Sequence, residues 1–156
     1  MAMRRYIAGG AAGAASSTAA TAGLLKIDNP SANDLTAAAI RAFSIGPAAA
    51  AEDSNYTVQL KRQTTAGTWT AVTASPVDAD LSASITTAGR LSTAAGSAST
   101  VITLGGFGFN QRSGIRIMFD PGGEPVLADT ASNGIILEYT FVQGTAVNNA
   151  MIEFME

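Results

Sequence analysis

The chain contains no cysteine and no histidine. The first absence excludes a disulfide framework and any thiolate metal site. The second removes the commonest general base, the commonest zinc ligand and every Ser-His or Cys-His pair. Charge is scarce as well: Asp, Glu, Lys and Arg make up 13% of the 156 residues, about half the usual share. The net charge is −3, and of nine basic residues only Arg4-Arg5 and Lys61-Arg62 stand as adjacent pairs. No basic footprint for nucleic acid is therefore expected. No apolar run reaches the roughly 18 residues of a membrane-spanning helix. The stretch behind Arg4 and Arg5 is Ala-rich like a secretory leader, but Gly9, Gly10, Gly13, Ser16, Ser17 and Thr18 interrupt it. That pattern does not make the apolar core of a leader, and no secretion signal is expected.

What is present in excess is Ala, Gly, Thr and Ser. A surface with so few charges is either an ordinary Thr/Ser coat or one covered by neighbours in an assembly, and the second is the expectation. The length fits one domain with one core, since a chain of this size buries roughly 68–70% of its unfolded surface.

Residues 1–23 are low in complexity. Each glycine there costs a helix about 1 kcal/mol relative to Ala. The sequence predicts an extended N-terminal arm that is either a floppy tail or a segment laid on a sheet edge or a partner. Arg4, Arg5 and Tyr6 are its candidate contact residues.

Residues 24–156 read as a β domain. Leu24 to Ile27 is a strand ended by the turn cluster Asp28-Asn29-Pro30-Ser31. Leu35 to Ile45 fits a helix through Ala37–Ala39 and a strand through Ile40, Phe43 and Ile45, and the strand is favoured. The organising stretch is Asn55 to Leu81. Val58 and Leu60 alternate with Thr57, Gln59 and Lys61, the period of a half-buried strand. Thr64-Thr65-Ala66-Gly67 supplies a turn, and Trp69, Ala71 and Thr73 begin a second period of two. The pattern predicts a hairpin whose second strand stops at Pro76 or lies at an edge. Pro76 to Gly89 reads as a connection. Thr100–Leu104, Gly114–Asp120, Ile135–Val142 and Val147–Met155 follow as strands, the last two joined as a hairpin through Gln143-Gly144-Thr145. Roughly eight or nine short strands with Gly, Pro and Asn punctuation argue for an all-β sandwich or barrel.

Candidate chemistry is thin. Asp78 and Asp80 form a D-x-D pair of the kind that holds Mg²⁺ or Ca²⁺ through oxygens, but few other ligands stand nearby and a plain turn is the better reading. Asp120 and Glu124 flank Pro121-Gly122-Gly123, and two carboxylates about 5–9.5 Å apart serve glycoside hydrolysis; a β-turn with polar ends accounts for them equally. Gly105-Gly106-Phe107-Gly108 imitates a phosphate loop without its Lys-Ser/Thr ending, which favours a bend or bulge. Arg112, after Asn110-Gln111, is either a bidentate latch on a carboxylate or a solvated side chain. Trp69, the single tryptophan, is either an interface anchor or part of the core.

Several of these segments resemble small virion proteins of tailed phages. The matching residues are Lys61-Arg62, Thr64-Thr65-Ala66-Gly67-Thr68, Thr70-Ala71-Val72-Thr73 and Ser75-Pro76-Val77-Asp78, then Asn110-Gln111-Arg112, Pro121-Gly122-Gly123-Glu124 and Asn133-Gly134-Ile135. They span residues 24–156, and their order carries the likeness. In that family the segment after Pro76-Val77-Asp78 is proline-rich, and Ala79-Asp80-Leu81 departs from it. The resemblance implies a jelly-roll or related β-sandwich that decorates or cements a phage head. It implies no enzyme activity and no cofactor. The implied partners are the protein itself, as a homotrimer, and a major capsid protein lattice, with the capsid surface as location. The arm ahead of Leu24 lies outside the resemblance, and the candidate interface residues read from the sequence itself are Arg4, Arg5, Tyr6, Trp69 and Arg112. Two alternatives stand beside the decoration reading: a self-assembling coat, tube or tail-associated subunit, and a carbohydrate-binding sandwich, which needs a row of exposed aromatics.

Overall fold

The computed structural model describes residues 4–11, 20–29, 38–46, 53, 55–64, 69–80, 82–84, 86–92, 102–110, 112–127, 130–131, 133–141 and 149–156. Among them run eleven β-strands and no helix: β1 (Arg5–Ala11), β2 (Ala20–Asp28), β3 (Ala39–Ile45), β4 (Asn55–Gln63), β5 (Thr70–Val72), β6 (Ser75–Pro76), β7 (Thr87–Ser92), β8 (Ile102–Asn110), β9 (Ile115–Met118), β10 (Gly134–Phe141) and β11 (Asn149–Met155). They form a five-stranded sheet in the order β6-β1-β11-β3-β9 and a six-stranded sheet in the order β5-β7-β2-β10-β4-β8. The two antiparallel sheets pack face to face as a β-sandwich.

The pairing is nested. β1 lies against β11, β2 against β10, β3 against β9 and β4 against β8. β11 also pairs with β3, and β10 with β4. The chain thus doubles back as one long ribbon, which rolls so that alternate pairs fall in opposite sheets. The strands between β4 and β8 widen the sandwich at its far side: β6 adds to β1, β7 to β2 and β5 to β7.

Period-two alternation builds the core. Tyr56, Val58 and Leu60 of β4 face inward, as do Ala150, Ile152 and Phe154 of β11 and Ile135 and Leu137 of β10. Phe43 and Ile45 meet them from β3, and Tyr6 and Ala8 from β1. Full burial of each large apolar side chain is worth about 1.5–3 kcal/mol. Aromatic contacts tie the strands together: Tyr6 stacks on Phe154 with ring centroids 5.7 Å apart, and Tyr56 lies 5.8 Å from Phe109.

The all-β sandwich agrees with the sequence, but several boundaries move. Arg5–Ala11, expected in an arm, is an interior strand, and a division at residue 23 would cut β2 in two. The reason is that Tyr6 supplies a large buried ring while small residues let backbones approach. A Cβ at Gly9 would stand 3.2 Å from the Ala150 carbonyl oxygen. Residues 1–3 and 12–19 of the expected arm lie outside the described residues. The predicted hairpin from Asn55 is not a hairpin, because β5 pairs with β7 and β4 lies between β10 and β8. Likewise β10 and β11 sit in different sheets. The segment Pro76–Gly89, expected as connection, contains the start of β7. Pro76 does lie on an edge strand, opposite Tyr6.

The helix-or-strand ambiguity around Ile40 has a structural cause. The register of β3 on β11 jumps from Ala42 opposite Glu153 to Ile40 opposite Phe154, leaving Arg41 as an extra residue. That bulge spaces the buried Ile40 and Phe43 three apart, the spacing of a helix face, inside a strand.

Candidate assembly surfaces

The outer face of the five-stranded sheet carries an open groove of about 510 Å³. Alternation on β11 sends Met151, Glu153 and Met155 to this side, opposite the core residues. Arg5 comes from β1, Arg116 and Met118 from β9, and the bulged Arg41 from β3. Arg5 Nη2 lies 2.7 Å from Glu153 Oε1, and Arg116 Nη2 lies 3.7 Å from Glu153 Oε2. Glu153 is almost covered, at 8% side-chain exposure, whereas Arg5 and Arg116 remain half exposed at 52% and 53%. The hydrogen bond and the charge of Glu153 push the Arg5 guanidinium above its ordinary range. Met118, at 67%, is the most exposed of the large apolar side chains.

Within the same groove, Arg41 Nη1 donates to Glu124 Oε1 at 2.7 Å, and the Gly122 N–H donates to Glu124 Oε2 at 2.6 Å. The hydrogen bond of its own backbone N–H comes first, then that of Arg41, and together with Gly122 they hold the Glu124 carboxyl below the usual carboxylate range. Glu124 is thereby a strut that fixes the Asp120–Val126 turn, and it is poorly suited to donate a proton. The Asp120 carbonyl accepts from the Gly123 N–H at 2.9 Å and closes the same turn.

Arg4 and Tyr6 both reach the 82–84 segment. Arg4 Nη1 donates to Ser82 Oγ at 2.6 Å, and the Tyr6 hydroxyl donates to the Ser82 carbonyl at 3.1 Å. Tyr6 is core, 1% exposed, so of the three N-terminal candidates only Arg4 and Arg5 face solvent.

Trp69 lies over the opposite sheet. Lys26 Nζ stands 5.5 Å from its ring centroid and 2.6 Å from Asp28 Oδ2. A second ion pair, Lys61 with Glu138, occupies the same face. Trp69 is half buried, and among the described residues neither its indole N–H nor the side-chain amide of the fully buried Gln63 finds a hydrogen-bond partner. Leaving such groups unpaired costs about 1–3 kcal/mol each.

Arg112 sits in the exposed turn between β8 and β9, and among the described residues its guanidinium forms no ion pair. The fastener of that turn is Asn110. Its Oδ1 accepts from the Arg112 N–H at 2.9 Å, its Nδ2 donates to Asp53 Oδ1 at 2.8 Å, and its carbonyl accepts from Ser113 and Gly114 N–H groups. The signal was an Asx-turn residue ahead of a glycine. Asp78 makes a similar turn by accepting from the Asp80 N–H at 3.2 Å. Gly105-Gly106-Phe107-Gly108 lies within β8, directly after a bulge at which the register on β4 jumps from Thr103 to Gly105.

No protein-family model, curated protein or solved structure matches the chain.

The structure thus brings Arg5 into a groove with Arg41, Arg116, Glu124, Glu153 and Met118, while Trp69 and Arg112 lie elsewhere. Arg41, Arg116 and the methionines were not legible as a group, because they come from strands far apart in sequence. Exposed Met and Arg side chains around a covered carboxylate have the composition enriched at protein–protein interfaces.

Proposed function

We propose that this protein is a non-enzymatic structural subunit of a virion, a phage capsid decoration or cement protein. The observation that carries the reading is the nested winding, β1 with β11, β2 with β10, β3 with β9 and β4 with β8. We read this winding as a jelly roll enlarged by β5–β7, an architecture that recurs in viral capsid and lectin domains. Of those two uses, the lectin-like one draws no support from the surface. Among the residues whose side chains are described, no aromatic is exposed, whereas a sugar platform needs a row of them. The resemblance of its ordered turn motifs to those of phage virion proteins favours the first use, as does the scarcity of charge.

The proposed contact with the head lattice is the Met/Arg groove on the five-stranded sheet. Each contact is modest, and repetition over a lattice makes the total binding strong. An antibody raised against the chain should follow particle-containing fractions of the source culture through a density gradient and label head surfaces in electron micrographs. Exclusive recovery in the particle-free fractions would reject the reading.

A further inference from the structure

We infer that β8 is a self-association edge, pairing antiparallel with β8 of a second copy about a twofold axis at Gly106. This inference does not depend on the virion reading.

Among the described residues, β8 ends the six-stranded sheet, with β4 on one side and no strand on the other. An open edge offers unpaired N–H and C=O groups to any extended strand, and proteins usually blunt it with short length, proline, charge or a bulge. The other three edges of this sandwich follow that practice. β5 has three residues, β6 has two with Pro76 among them, and β9 has four with Arg116 among them. β8 runs for nine residues, ITLGGFGFN, without a charge or a proline. Its one irregularity is the extra residue Leu104, where the register on β4 jumps from Gly105 to Thr103.

The glycines point the same way. A Cβ added at Gly106 or Gly108 would meet no atom within 4 Å, and neither backbone is left-handed. The fold of the single chain therefore does not require glycine at either position. Glycine inside a strand is weakening, and its recognised uses include close approach of another backbone.

The second copy is singled out by size. Antiparallel pairing centred on Gly106 sets Leu104 opposite the partner's Gly108 and Phe107 opposite the partner's Gly105. Leu104 and Phe107 then each face a glycine, on the outer and inner faces respectively, while Phe109 faces Thr103 and Ile102 faces Asn110. Leu104, 39% exposed in the single chain, gains cover across the joint. A foreign strand would need this size pattern by coincidence, whereas a copy of β8 has it by symmetry. The symmetry is twofold and replaces the threefold expected from the family resemblance.

Light scattering on the purified full chain tests this directly. Wild type is expected at twice the 15.8 kDa chain mass. Gly106→Lys sets two like charges opposite each other, which disfavours the pair, and should give monomers with an unchanged circular dichroism spectrum. Gly106→Glu should do the same, and mixing the two variants at low salt should restore the doubled mass. Gly108→Lys mixed with Gly108→Glu should not, because those positions do not face each other. A wild-type monomer or trimer, an unchanged mass for Gly106→Lys, or equal rescue by the Gly108 pair would overturn the inference.

Discussion

Replacing Tyr6 by Ala decides whether the N-terminal segment is part of the fold. Tyr6 is 1% exposed, stacks on Phe154 at 5.7 Å and donates its hydroxyl to the Ser82 carbonyl at 3.1 Å. Truncating a buried aromatic to Ala typically costs about 3–5 kcal/mol. A domain of this size has about 5–15 kcal/mol in total, and each kcal/mol moves its Tm by about 2–4 °C. A fall in Tm of about 6–20 °C is expected in differential scanning calorimetry. Tyr6→Phe keeps the ring and loses only the hydroxyl bond, so it should cost about 0.5–1.5 kcal/mol. The contrast between the two variants separates packing from the hydrogen bond. A Tyr6→Ala protein that melts within about 2 °C of wild type, far below the range set by those principles, would show that β1 is dispensable and that residues 5–11 behave as an arm after all.

Three further outcomes are expected. Gly114 has φ 67°, and a Cβ there would collide with the Ile45 carbonyl oxygen; Gly114→Ala should destabilise by more than about 1 kcal/mol in urea titration. The backbone and Arg41 hydrogen bonds hold the Glu124 carboxyl below the ordinary carboxylate range, so its stabilising contribution is complete above that range and is lost as pH falls through the depressed value. The stability gap between wild type and Glu124→Gln should accordingly be open at pH 7 and close on acidification; a gap that persists at the acid end refutes the assignment. Met118→Glu alters a side chain 67% exposed and should change stability by no more than about 0.5 kcal/mol, while reducing recovery of the protein with particles at least several-fold.

The sandwich was legible because β4, β9 and β11 alternate cleanly. The ends of the chain were not. In β1 the alternation is carried by Tyr6 and Ala8 against Ile7 and Gly9, and a strand of such small residues looks like low complexity until its partner is known. Bulges hid other strands, since the extra Arg41 in β3 and the extra Leu24 in β2 disturb the period of two. Sheet partners also escaped a local reading. Neighbouring runs at Asn55 and Trp69 suggested a hairpin, yet long-range nesting sends their backbones to different partners. The Met/Arg groove was invisible for the same reason, whereas Asn110 and Asp78, whose hydrogen bonds are local, followed turn chemistry.

The nesting also sets a timetable for folding. β1 emerges from the ribosome early, but its neighbour β11 is made last, and Arg4 and Glu156 exchange their backbone hydrogen bonds only then. Such distant pairings slow folding, because loop closure must come before the contacts that reward it. The five-stranded sheet gains its central strand β11, and the six-stranded sheet gains β10, which joins its two halves, only once residue 134 and beyond have been synthesised. Until then β4 can pair only with β8 and β3 only with β9, and each keeps one edge open.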